Sequence, residues 1–310
     1  MRCLVTGATG HIGSHLVRCL VEQDVEVMAM VRPTTNNIWR IEDVLSRIHI
    51  VKGELSSIDE SSKEIQEFAP EVIIHLGWYG VGSRYRYDAE QINKNLYGST
   101  KLLQLAHDCG CKRWVCLGSQ AEYGSCAGIL REDLPTDPVT IYGAVKLCVY
   151  ILAKKLCEAW NIDLVWFRLL ASYGPMDDAD HLIPFVILSL LRGEKPALTL
   201  GEQQWDYLYV TDVAEAIWKA IVTPKAQGIF NLGSGEAYTV RNIVENIRDL
   251  IDPNLPIGFG EVPYRPDQIM HLQADTSRLK KATGWSPQVH LDEGLARTVA
   301  WFKENKWRYE

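Results

Sequence analysis

Apolar and polar positions repeat along this chain in one order: a short apolar run, a turn, then a run with a single apolar face. Arg2–Val5 is short and apolar, as a buried strand is, and Ser14–Glu22 carries its apolar residues at helical spacing. Glu26–Val31, the run that ends before Gly53, Val72–Leu76 and Arg113–Leu117 read as further buried strands. The patterns of Ser61–Phe68, Ala89–Asp108 and Leu147–Trp160 predict helices between and after them. Strands alternating with helices predict an α/β fold, with a parallel sheet covered on both faces.

Composition narrows the functional classes. The chain has 310 residues, of which 47% are hydrophobic, enough for one large domain or two intimately joined ones. Its formal net charge of -7, without basic tracts, argues against nucleic acid as a partner, because such binding rests on clustered Lys and Arg. The longest apolar run, Leu182–Leu191, is too short to span a bilayer and contains Pro184 and Ser189, so no membrane partner is expected. The amino terminus enters a strand directly, with no leader pattern, and a cytoplasmic location is the expectation. Cys3, Cys19, Cys116, Cys148 and Cys157 fall inside the strands and helices, where a small buried hydrophobe is the expected role. Cys109-Gly-Cys111 lacks a second ligand pair, so reduced thiols and no metal are expected.

The candidate chemistry collects at the ends of the strands. Thr6-Gly-Ala-Thr-Gly-His-Ile-Gly13 follows the first strand and opens the first helix, which brings Thr6, Gly7, Gly10, His11, Ile12 and Gly13 to a pyrophosphate site. The glycines permit a tight turn and close backbone approach, while the helix start offers N–H groups. Arg32 follows the second strand, where NAD-binding folds often carry an acid for the ribose hydroxyl; a cation suits the 2′-phosphate of NADP. Glu54 and Leu55 follow the third strand toward the adenine, and Leu76 and Gly77 close the fourth beside the cofactor. Ser119 follows the fifth. Tyr142 and Lys146, four residues apart, share one helix face, and the ammonium is expected to lower the phenol from its ordinary value of about 10. A lone Tyr-x-x-x-Lys is more often a core tyrosine beside a solvated lysine. The glycine turn, the strand-end serine and the pair together point to proton and hydride chemistry.

With these motifs in order, the chain resembles the extended short-chain dehydrogenase/reductase family, in the branch that modifies nucleotide-activated sugars. The resemblance runs through Thr6–Gly13, Asn95–Thr100, Ser119–Gly124, Tyr142–Lys146, Arg168–Pro175, Trp205–Asp212, Phe230–Gly233 and Ala274–Pro287. It implies a Rossmann-type doubly wound parallel sheet with a smaller α/β substrate-binding cap. Residues 1–170 and 207–233 would form the dinucleotide-binding domain, and residues 171–206 and 234–310 the nucleotide-sugar domain. It implies that Tyr142 exchanges the proton, that Lys146 lowers its pKa and holds the nicotinamide ribose, and that Ser119 bonds the reacting oxygen. Ser119, Gln120, His181, Leu182 and Arg265 would meet a nucleoside-diphosphate sugar, with His181 standing where relatives carry Asn. A homodimer is implied through the helix bearing Tyr142 and the one before it, with Val149, Leu152 and Leu156 facing outward.

Departures from the family pattern refine the activity. Dehydrating relatives place Asp-Glu directly after the strand-end Ser or Thr, and decarboxylating ones keep the Glu; here Gln120 and Ala121 stand there. Ala171 and Trp205 replace an Asn and a phosphate-binding Arg of many epimerases. Gly201–Tyr207 and Arg265–His271 resemble reductases of 4-keto-6-deoxy sugars. The expectation is NADPH-dependent reduction of such a ketone at C4, NADP(H) being favoured over NAD(H). The alternatives are an NAD-dependent 4-epimerase and a non-catalytic cofactor-sensing scaffold.

Overall fold

The computed structural model describes residues 1–35, 37–126, 128–265 and 268–309. Its centre is β1 (Arg2–Thr6), whose Cys3, Leu4 and Val5 are fully buried because apolar neighbours lie on both faces. β1 pairs in parallel with β2 (Glu26–Val31) on one side and β4 (Val72–His75) on the other, with Val5 opposite Ala29 and Ile74. β3 (His49–Lys52) lies outside β2, and β5 (Arg113–Ser119) outside β4. The strands Asp163–Leu169 and Gly228–Leu232 complete an all-parallel sheet of seven beyond β5. The strand order reverses direction between β1 and β4, and a crevice at the carboxyl ends of these two strands is where ligands bind in such sheets.

Helices cover both faces, as the alternating pattern predicts. α1 (His11–Glu22) buries Leu16, Val17 and Leu20 against one face, beside the Val210–Val222 helix. α2 (Ser62–Phe68), α3 (Tyr97–Asp108) and α4 (Ile141–Trp160) cover the other through Ile65, Leu102, Val145 and Ala153. Beyond the sheet's carboxyl edge, the helices Leu182–Leu191, Val240–Ile251 and Leu291–Asn305 enclose another core around Val186, Ile243 and Leu295. A small mixed sheet lies there, in which Gly128–Leu130 pairs with His271–Ala274, and that strand with Gln204–Trp205.

Several expectations need correction. The first helix starts at His11 rather than Ser14, because Gly10 is extended and caps it from within the glycine turn. The expected Ala89–Asp108 helix is divided: Gln91–Leu96 is π-helical, and the α-helix begins at Tyr97. The cause is local. Buried Asn95 clamps the Tyr79 backbone from both sides and accepts no place in a regular ladder face, while Gln91 bonds the Gly80 carbonyl. Val149 is buried against the sheet and Leu156 is half-buried against the same core rather than facing outward, and Ile151 and Leu152 are the large apolar residues that α4 exposes. Cys148 is likewise exposed, since it follows the outward face of the same helix. Among the described residues no helix is long and apolar enough to cross a membrane.

Candidate active site

The glycine turn packs so tightly that side chains are excluded. Gly7 has φ +72°, and a Cβ there would lie 2.6 Å from the Gly77 nitrogen; one on Gly13 would lie 2.0 Å from the Gly7 carbonyl oxygen. The first bond of α1 runs from the Ser14 N–H to the Gly10 carbonyl, 3.0 Å, so the N–H groups of His11, Ile12 and Gly13 precede the helix ladder. They lie at the positive end of the helix dipole, where a pyrophosphate binds well. Thr6 Oγ1 accepts from the Gly77 N–H at 3.0 Å and meets His75 Nδ1 at 2.9 Å, which fastens β1 to β4 at the crevice. Glu54 and Leu55 enter the Leu55–Ser61 turn just after β3. This glycine cradle and its helix start fit a dinucleotide.

Ser119 ends β5 and caps the Gln120–Tyr123 turn; Tyr142 and Lys146 project from the first turns of α4. The Ser119 side chain lies near enough to the Tyr142 phenol to favour its ionised form, so these two expected site residues are brought to the same place. Lys146 is buried close by but turned elsewhere. Its Nζ donates to the Leu117 carbonyl at 2.6 Å and lies 3.5 Å from the centre of the Trp78 ring, against 5.9 Å from that of Tyr142. The expected lowering of the phenol is therefore corrected. Burial pushes Tyr142 up to about 12 and Lys146 down to about 8, because each would lose hydration as an ion.

Trp78, missed in the sequence, lies edge-on to Tyr142 with ring centres 6.2 Å apart, and its indole N–H donates to Gln91 at 2.9 Å. The Arg86 carbonyl accepts from the Tyr142 N–H at 3.0 Å, so the loop after β4 closes over the start of α4. Gln120 is half-buried, and its side-chain oxygen has no partner among the described residues. Glu122 is the other missed residue. It is fully buried, and the Ser119-Gln-Ala-Glu122 capping spacing was the signal that could have found it.

His11, assigned to the cofactor turn, directs its ring away from the glycines to Asp177, with Nδ1 at 3.2 Å from Oδ1. His181 joins the same carboxylate oxygen at 2.7 Å from the amino end of the Leu182–Leu191 helix, where Leu182 is half-buried. Asp178 is held by buried Arg40 at 2.7 Å. The cluster is an ion network, in which the buried His11 Nε2, Arg40 Nε and Asp177 Oδ2 have no hydrogen-bond partner among the described residues. Burial works against the His181 cation, but the hydrogen bond and charge of Asp177 override it and hold the imidazole at about 9. A raised histidine stabilises the fold fully below its unfolded value and ceases to do so above its folded one. Compared with His181→Asn, the wild type should keep its stability advantage below pH 6.5 and lose it as the pH rises to about 9, read from urea midpoints across that window.

Arg32 is exposed at the end of β2, and Arg265 is exposed on the loop that precedes His271–Ala274. Neither lies among the clustered groups described above. Pro266 and Asp267, from the motif that follows Arg265, lie outside the described residues.

Known proteins resemble this chain over nearly its whole length. The chain is 27% identical, over its full length and 95% of the relative's, to a probable dTDP-glucose 4,6-dehydratase of Sinorhizobium fredii. It is 26% identical to the UDP-glucuronate 4-epimerase of Thermodesulfobacterium geofontis, covering 97% of this chain and 96% of that one. Among solved structures, the dTDP-glucose 4,6-dehydratase DesIV of Streptomyces venezuelae, determined with NAD, superposes with a TM-score of 0.91 at 27% identity, covering 100% of this chain and 99% of that one. The model of the NAD dependent epimerase/dehydratase family matches residues 3–233, with a Rossmann-type sheet as its frame, and the chain belongs to that family.

Proposed function

We propose that this protein is an NADPH-dependent reductase that converts the C4 ketone of a nucleoside-diphosphate 4-keto-6-deoxyhexose to an alcohol. One observation carries the reading: the Ser119–Tyr142 pair can serve a ketone oxygen, whereas the acid and base positions of an elimination are Gln120 and Ala121. The nicotinamide, when bound, supplies the hydride to C4. The Tyr142 hydroxyl gives its proton to the ketone oxygen, and Ser119 orients that oxygen. A phenol raised to about 12 stays protonated at neutral pH and so suits donation better than abstraction from an alcohol. Lys146, under the same loop, would bind the nicotinamide ribose and offset charge on the phenolate. The glycine turn holds the pyrophosphate, and the sugar nucleotide would lie between residues 1–170 with 207–233 and residues 171–206 with 234–310, near Gln120, His181, Leu182 and Arg265.

A 4-epimerase is the second reading. It draws support from the epimerase among the relatives, and from NAD in the DesIV structure. A panel of nucleotide 4-keto-6-deoxy sugars separates the two: the proposal expects stoichiometric loss of NADPH with each alcohol formed. Interconversion of nucleotide hexoses without net cofactor use would select the epimerase. Firm cofactor binding with no turnover would select the scaffold.

Cofactor choice has its own test. Exposed Arg32 follows β2, and a charge-assisted contact to a 2′-phosphate contributes about 1.5–3 kcal/mol, or roughly tenfold to a hundredfold in affinity. Titration should show tighter NADPH than NADH, with the order reversed in Arg32→Asp. Assembly is proposed as a homodimer through α3 and α4, whose Tyr97, Ile151 and Leu152 are exposed. Sedimentation at micromolar concentration should give the dimer mass, and monomer alone would refute it.

A further inference from the structure

Beneath the reacting pair lies a carboxylate that the chemistry above does not use. Glu122 has no exposed surface, and Arg168 beside it is 3% exposed. One carboxylate oxygen, Oε1, accepts from the Ser119 backbone N–H at 2.9 Å and from the Trp166 indole N–H at 3.0 Å. The other, Oε2, accepts from Arg168 Nε at 2.8 Å. Arg168 lies over the Tyr123 ring at 4.3 Å, and the Tyr123 hydroxyl donates to Asn231 at 2.6 Å, so the pair is braced from the neighbouring strands.

The strand leaves room for this carboxylate. A Cβ on Gly118 would lie 2.2 Å from Trp166 Nε1 and 2.3 Å from Glu122 Oε1, so β5 reaches its reacting serine only with a bare residue before it. Burial of an ion pair is weak ground for stability, since an apolar pair of equal volume is often as good. Its position suggests another use. The carboxylate grips the backbone of Ser119, the residue whose side chain acts on the Tyr142 phenol, and its charge acts on both Tyr142 and Lys146.

We propose that Glu122 is a positioning residue: with Arg168 and Trp166 it fixes Ser119 against Tyr142 and sets the charge beneath the phenol. The proposal rests on Ser119 and Tyr142 forming the reacting pair. Removing the carboxylate while Arg168 remains leaves net positive charge below Tyr142, which favours the phenolate. The phenol should then titrate lower, because an opposite charge stabilises the ionised form.

Glu122→Gln preserves size and an oxygen to accept the two N–H groups. Ultraviolet difference titration, with Tyr142→Phe in each background to isolate this phenol, reads its pKa without any substrate. The expected result is a downward shift of about one unit in Glu122→Gln. Its kcat should fall by about tenfold, with KM changed by less than about twofold. Arg168→Lys retains the cation but not the Nε contact. It is the second variant if the first does not fold, and it should lower kcat by about tenfold while leaving the phenol within about 0.3 unit. A folded Glu122→Gln with wild-type titration and kcat overturns the proposal, as does Arg168→Lys with wild-type kcat. Absence of wild-type turnover on every nucleotide sugar would refute the proposed function instead, and the phenol titration would still decide the role of Glu122.

Discussion

Tyr142→Phe is expected to lower kcat by about three orders of magnitude while leaving the Kd of the cofactor within about twofold. The variant removes only the phenolic oxygen and its proton. The ring still packs edge-on to Trp78, and the Tyr142 N–H still bonds the Arg86 carbonyl, so the loop over α4 stays in place. The glycine turn that would hold the pyrophosphate is formed by other residues, at the ends of β1 and β4. Loss of rate without loss of binding separates a proton donor from a packing residue. Single-turnover rates with NADPH and isothermal titration of the cofactor provide the two halves of the test. Near-normal turnover would remove Tyr142 from the chemistry.

The largest effect on stability is expected from Asp206→Ala. Asp206 has no exposed surface and stands between Trp205 and Tyr207, where the chain passes from the small sheet back toward the large one. Its carboxylate accepts from the Ser234 N–H and hydroxyl, both at 2.6 Å, the Gly235 N–H at 2.9 Å and the Ala274 N–H at 3.0 Å. These bonds tie the turn after Gly228–Leu232 to the end of His271–Ala274. Alanine leaves buried donors without acceptors, and the loss should be on the order of 4 kcal/mol. Asp206→Asn retains one acceptor oxygen and should lose roughly half as much. Urea unfolding at neutral pH reads both; equal stability of Asp206→Ala and wild type would contradict the assigned bonds.

The sheet was legible because its strands are buried on both faces. Cys3-Leu-Val5 and Val72-Ile-Ile74 are continuous apolar runs that fit no solvent-facing element, and glycine at 7 and 13 is demanded by backbone contact. The nearness of Ser119 to Tyr142 was legible too, since strand-end loops and the first turn of a following helix converge on one edge. What escaped was set by tertiary partners. The turn of Lys146 toward Leu117 and Trp78 depends on a loop whose path is fixed by Gln91 and Asn95, and those same residues impose the π-helical stretch. His11 has the glycine-turn position but gives its ring to Asp177, about 166 positions away in the chain, a pairing that no local pattern encodes. Burial, and not the spacing of Tyr142 and Lys146, decides the direction of the phenol's shift.

The proposed reaction delivers hydride and a proton to a sugar ketone. Its most direct measurement uses NADPH deuterated at the transferable position of the nicotinamide, together with nucleoside-diphosphate 4-keto-6-deoxyhexoses, and locates the label by nuclear magnetic resonance. Deuterium is expected on C4 of a newly formed alcohol, with oxidised cofactor released in equal amount. Unlabelled sugar isomers with the deuterated cofactor unconsumed would contradict it.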